Sequence, residues 1–259
     1  MGDKIDIRPL LESWPYDPEN NIRVIEVNGR QVMQVRTPMG IEQYELEGRP
    51  DGQKPHGFES LFDYHIHRMQ KQVEQGHTTF SLNSEECAEL FNEATLYYLR
   101  YVHLFQIQDW QRTIRDTTRN LAVFDFIHQF AEDEEDRWYL ERWRPYVLRI
   151  RAMATAMQEL EKDEYLQALK ILRRELKTIQ SLPEMDDETF QVERERAIES
   201  LTGLIERIEM TRPLSTEERL ERELRQAIEA QEFERAAELR DKIRALRQKS
   251  QQQRDSSQS

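Results

Sequence analysis

The chain has 259 residues, of which 34% are charged, 37% are hydrophobic and only 8 are glycine, with a formal net charge of −13. A chain of this length buries a real core, and a composition so charged and so poor in glycine argues for helices with solvated outer faces and against a β-rich fold. The negative balance repels nucleic-acid phosphates, so DNA or RNA binding requires a local basic patch, and the single cysteine, Cys87, excludes an intrachain disulfide or a multi-cysteine zinc site.

The first 56 residues read as extended chain. Asn21 to Val27 and Gln31 to Arg36 flank Asn28-Gly29, a dipeptide that tolerates positive φ at both positions and so predicts a β-hairpin. Ile41 to Leu46, ahead of the turn-rich Gly48-Arg49-Pro50-Asp51-Gly52, supplies a third strand of a meander. Its apolar face needs a cover, for which Leu10, Leu11, Trp14 and Tyr16, or a helix starting near Gly57-Phe58, are candidates.

From residue 57 to 212 the period is helical. Leu61, Phe62, His65 and Met69 share one face of a helix ending near Gly76-His77, and Asn83-Ser84-Glu85-Glu86 caps a long helix from about Glu85 to Gln106. That helix carries Phe91, Tyr97, Tyr98, Tyr101 and Phe105, too many aromatics for a single buried side. The acidic run Glu132 to Asp136 complements the amino end of a following helix, and Trp138, Tyr139, Trp143 and Tyr146 are expected to pack between helices. A charged helix from Glu188 to Glu209 turns Ile198, Leu201, Leu204, Ile205 and Ile208 inward, and Thr211-Arg212-Pro213 marks a domain boundary.

Three sites share a local pattern: Asp109-Trp110 with Thr113, Glu164-Tyr165 with Ala168, and Glu232-Phe233 with Ala236. Each places an acid and an aromatic at a bend, with a small residue three positions on opening a second helix. The aromatics are unevenly spaced, which rules out a strict repeat. Leu160 to Leu176 resembles the turn and second helix of a tetratricopeptide repeat, and the first site does so more loosely; the resemblance implies a divergent array of helical hairpins.

Past the boundary, Ser215 with Glu218 forms a candidate capping box. Leu220, Leu224, Ala227 and Ile228, then Phe233, Ala236, Ala237, Leu239, Ile243 and Leu246 after a polar bend, predict two short helices folded together over 213–249. The Phe233-Glu234-Arg235-Ala236-Ala237-Glu238-Leu239-Arg240-Asp241 core resembles the UVR motif of the excision-nuclease subunits UvrB and UvrC and of some Clp-protease adaptors. That resemblance implies a hairpin that docks onto another protein, with self-association as one form of docking. Affinity is then expected from Leu220, Leu224, Ile228, Phe233, Leu239 and Ile243, and orientation from Arg240 and Asp241. Residues 250–259 are polar, low in complexity and expected to be disordered.

No phosphate-binding glycine loop, metalloprotease motif or serine-nucleophile elbow occurs. Asp63, His65 and His67 lie near His56 and His77, but residues two apart on a helix diverge, so no metal site is expected. Cys87, in the first turn of a helix, is expected to be a packed thiol, and no cofactor is expected. No apolar run reaches membrane-crossing length and Met1-Gly2-Asp3-Lys4 leads into no signal-peptide core, which predicts a cytoplasmic protein without membrane contact; taken with the UVR resemblance, the expectation is a bacterial one.

The expected fold is therefore mainly α with a small amino-terminal β-meander (α+β), tetratricopeptide-like hairpins and a terminal UVR-like hairpin. The expected function is a non-enzymatic adaptor or scaffold. Two alternatives are an excision-repair accessory that contacts DNA through Arg240, Lys242, Arg244, Arg247 and Lys249, and an enzyme with an unfamiliar site in the amino-terminal half.

Overall fold

The computed structural model describes residues 6–76, 79–214 and 216–256. Two compact units emerge, Met1–Glu206 and Arg207–Ser259. The division falls within a helix rather than at Pro213, since Arg212 binds Glu218 and so ties the end of that helix to the residues beyond Pro213.

In the first unit β1 (Ile22–Val27), β2 (Arg30–Thr37) and β3 (Gly40–Glu45) form an antiparallel meander in the order β1-β2-β3. Asn28 and Gly29, at φ 53° and 77°, make the tight connection between Val27 and Arg30. Met33, Val35, Tyr44 and Leu46 cluster with Leu104, with Ile22 and Ile107 alongside. The cover on this face thus comes from a residue far along the chain, not from a helix near Gly57. On the other face, the segment after α1 (Arg8–Ser13) contributes Trp14, whose carbonyl accepts from Arg36 Nε at 2.8 Å and whose ring lies 4.0 Å from the Arg23 guanidinium. Meander and helices form one unit, so residues 1–56 are not a separate body.

The helices come next as α2 (Leu61–Glu74), α3 (Ser84–Gln106), α4 (Trp110–Phe130), α5 (Glu134–Tyr139), α6 (Arg144–Leu160), α7 (Tyr165–Gln180) and α8 (Glu188–Thr211). Asn83 accepts from the Glu86 amide at 2.9 Å while the Glu86 carboxylate accepts from the Asn83 amide at 3.0 Å, the capping box that the sequence predicts. The longer helices pack in succession: α3 on α4, α4 on α6 across the short α5, and α6 on α7. Ala152, Ala154 and Ala156 are buried along α6 and let its neighbours approach closely.

Buried charge fastens the meander to the helices. Arg100 on α3 is fully buried and makes a bidentate pair with Asp116 on α4, at 2.7 and 2.9 Å. Its Nη1 also donates to the carbonyls of Glu45 and Gly48 at 2.7 and 2.8 Å, where β3 gives way to the loop. Glu93, equally buried, accepts from the first two amides of α2, Leu61 at 2.7 Å and Phe62 at 3.1 Å, and pairs with Arg49 and Arg119. A carboxylate at a helix amino end satisfies donors that have no partner within the helix and also complements the dipole. These groups therefore act as structural anchors of the fold.

His65 faces inward from α2, while His67 is exposed against Phe58 and His56 stacks on Tyr64 at 4.1 Å. His77 lies outside the described residues. Burial, with Arg68 and His56 nearby and only Glu86 opposing, lowers the His65 pKa from 6.5 to about 4. The unfolded chain then binds the extra proton first, so stability is full above about pH 6.5 and declines as pH falls towards 4. Urea unfolding across that window should show a loss of about 2–3 kcal/mol that His65→Leu removes; an unchanged slope in the variant would refute it.

Candidate docking hairpin

The second unit carries α9 (Thr216–Glu229) and α10 (Phe233–Ser256), which pack against each other. Three described bends are built alike. At the end of α9, Gln231 takes a left-handed φ of 58°, its amide bonds to the Ile228 carbonyl at 3.0 Å, and the Glu232 amide reaches back to Ala227 at 2.8 Å. That pair of bonds is the Schellman arrangement that satisfies terminal carbonyls. After α3 the same bonds run from Gln108 to Phe105 and from Asp109 to Leu104, with Gln108 at φ 63°. After α6 they run from Asp163 to Leu160 and from Glu164 to Glu159, with Asp163 at φ 60°. In each bend the acid's carbonyl then accepts from the small residue that opens the next helix: Thr113, Ala168 or Ala236. The acid-aromatic-small pattern thus encodes one recurring turn.

The three aromatics differ in environment. Trp110 is buried, and its indole donates to Glu161 at the end of α6 at 2.6 Å, so the second hairpin covers the bend of the first. Tyr165 is half-buried. Phe233 is 70% exposed.

Ala227, Ala236 and Leu239 form the hairpin's core, flanked by the half-buried Leu220 and Leu224; Ile243 is buried and Leu246 half-buried further along α10. The expected single stripe therefore divides. Ile228, one residue and about 100° past Ala227, is 52% exposed, and Ala237, the same step past Ala236, is exposed, so only one alanine of the pair lies between the helices. Phe233, Ala237, Arg240, Asp241 and Arg244 recur at three- and four-residue intervals and make the outer face of α10. Arg240 donates to Asp241 at 3.1 Å. Lys242 is exposed, whereas the Arg247 and Lys249 side chains and Ser215 lie outside what is described.

The predicted capping box of Ser215 with Glu218 falls on a residue outside those described; the Glu218 carboxylate also receives the Arg212 guanidinium, with Nη1 to Oε2 at 2.8 Å. One further difference concerns the carboxy-terminal end. The backbone of α10 continues to Ser256, past residue 250 where disorder is expected; Gln, Lys and Arg are good helix formers. The apolar stripe that starts at Leu220 also leaves out Met210 and Leu214 of this unit, which are 83% and 45% exposed. Met210 lies in the last turn of α8 and Leu214 just ahead of α9, so apolar residues flanking the Pro213 break are the signal that points to them.

Charge distinguishes this region from the chain. Residues 218–249 contain nine basic and eight acidic side chains, against a net charge of −13 for the whole. Elsewhere, burial next to Asp136 and Glu86 pushes the Cys87 thiol up to about 12, so it is a packed group and no nucleophile. Among the described residues no cluster of ligating side chains could hold a metal ion, and no helix is long and apolar enough to cross a membrane.

Residues 218–249 match the model of the UvrB/uvrC motif family. No curated protein and no solved structure matches the chain. The motif lies over the hairpin formed by α9 and α10, and the chain is a UVR-containing protein on that ground.

Proposed function

We propose that the protein is a non-enzymatic adaptor or scaffold that docks another polypeptide on the outer side of its carboxy-terminal hairpin. The observation that carries this reading is the exposure of Ile228 and Phe233 at the hairpin bend, in a motif known from excision repair and from protein interaction. Large apolar side chains held out by a turn on a small helical pair gain free energy only by being covered. The first hairpin of the same chain supports the idea, because there the aromatic at the matching bend is covered by a neighbouring hairpin. On this reading Leu220, Leu224, Ala227, Ala236, Leu239 and Ile243 keep the hairpin closed. Ile228, Phe233 and Ala237 make apolar contact, and Arg240 and Asp241 orient the partner through charge. The tetratricopeptide-like helical part then serves as the body that carries the hairpin, in the cytoplasm of a bacterium.

The test is co-purification from the native cell with the full chain and with the chain ending at Pro213. Loss of the same polypeptides on truncation is the expected result; an unchanged set contradicts the reading. DNA contact through Arg240, Lys242 and Arg244 is checked in parallel at low salt, where a near-neutral hairpin is expected to bind duplex DNA only weakly.

A further inference from the structure

The first unit contains a cavity of about 390 Å³ walled by α3, α4 and the stretch from α5 into α6, a size typical of small-ligand pockets. Its walls are aromatic. Phe91 and Tyr139 stack at 4.6 Å and 23°, while Tyr98 meets Tyr101 and Tyr146 edge-on at 5.6 and 5.9 Å. Trp143, Tyr139 and Tyr98 are each at least 40% exposed and form an accessible rim. Of the described residues that line the cavity only Glu193 is charged, and none is Lys, Arg or His.

That lining selects by chemistry. A phosphate or carboxylate ligand would meet no cation among the described lining residues, but would meet the negative faces of the rings and a carboxylate. Glu193 is nine-tenths buried; its Oε1 pairs with Arg196 at 2.8 Å, whereas Oε2 is buried without a hydrogen bond and has only Arg149 at 3.6 Å. With the carboxylate partly balanced, the attraction for a cation comes mainly from the rings. A strongly hydrated ammonium would lose more water than they return, whereas a guanidinium or alkylated ammonium is weakly hydrated and suits aromatic walls. The rings already attract such groups within the fold, Arg142 lying over Tyr139 at 5.0 Å and Arg149 over Tyr146 at 5.2 Å.

We propose that this aromatic cavity is a binding site for a weakly hydrated organic cation, a guanidinium or alkylated ammonium group seated among Tyr98, Tyr139, Trp143 and Tyr146 with Glu193 behind it. The cation reaches the site either as a small molecule or as a side chain of a polypeptide. The site is independent of the hairpin and stands or falls apart from the docking function.

The experiment titrates the full chain with choline and with capped arginine, each against its neutral counterpart, 3,3-dimethylbutanol and capped citrulline. Binding is read from the indole N–H resonance of Trp143. The cations are expected to saturate the site and the neutral counterparts to bind about tenfold more weakly. Trp143→Leu, at the rim, should abolish binding with the fold intact, and Glu193→Gln should lower affinity for the cations and leave the neutral probes unchanged. Equal or tighter binding of the neutral probes, absence of saturation by either class, or undiminished binding in Trp143→Leu would each overturn the proposal. A pentapeptide with a central arginine that binds about tenfold tighter than capped arginine identifies a polypeptide source; equal affinity identifies a free small molecule.

Discussion

Asp116→Ala is expected to destabilise the first unit by about 3–5 kcal/mol, because it leaves the Arg100 guanidinium charged and unpaired in the interior. The loss extends beyond one ion pair. Arg100 holds the Glu45 and Gly48 carbonyls, so a guanidinium that shifts to find solvent also releases the loop after β3. Arg115, which donates to both Asp116 and the Leu46 carbonyl, loses its inner partner in the same step. Replacing the pair together, Arg100→Met with Asp116→Leu, should cost markedly less than either single change, since no charge is then left stranded. Urea unfolding of the three variants decides the matter; a single-variant cost under about 1 kcal/mol would place the pair in effective contact with water.

Leu239→Ala is expected to open the hairpin. Among the described residues its core contains Ala227, Ala236 and Leu239 with two half-buried leucines, Ile243 being buried further along α10, and truncating a buried leucine costs about 2–5 kcal/mol. A helical pair so small has little stability in reserve, so this one change should exceed it. Amide exchange in α9 and α10 should rise to the rates of open chain, while exchange in α3 and α4 stays as in the parent. Persistent protection around Ala227 and Ile243 would show that something other than the leucine contact closes the hairpin.

Legibility in the sequence depends on the range of the interactions. Local signals suffice for the connections: Asn28-Gly29 for the strand turn, Asn83 with Glu86 for the cap, and the acid-aromatic-small order for all three helical bends. Each of these is decided within a few residues by backbone geometry. The buried charges are opaque because their partners are distant: Arg100 meets Glu45, and Glu93 meets Leu61. Nothing in a linear pattern distinguishes such an arginine from one on a solvated face. For the hairpin, composition shows that the helices are amphipathic but not where the inner stripe ends. Ala227 beside Ile228 and Ala236 beside Ala237 differ only by a rotation of about 100°, and the two helices' actual contact sets which one turns inward. The cavity is hidden for a related reason. Its aromatics have the spacing of ordinary packing residues, and their convergence from α3 and α6 around Glu193 of α8 depends on how those helices meet.

The division of the hairpin's apolar residues into an inner set that closes it and an outer set that contacts a partner is tested most directly by Phe233→Asp. The phenyl ring is 70% exposed, so the charge costs the fold almost nothing, whereas a carboxylate put in place of the ring loses both its hydration and the ring's apolar contact when a partner covers it. The variant is expected to keep the circular dichroism and amide protection of the parent and to lose its co-purifying polypeptide by at least about tenfold. Undiminished capture of that polypeptide by a folded Phe233→Asp protein would contradict the assignment of the outer face as the docking surface.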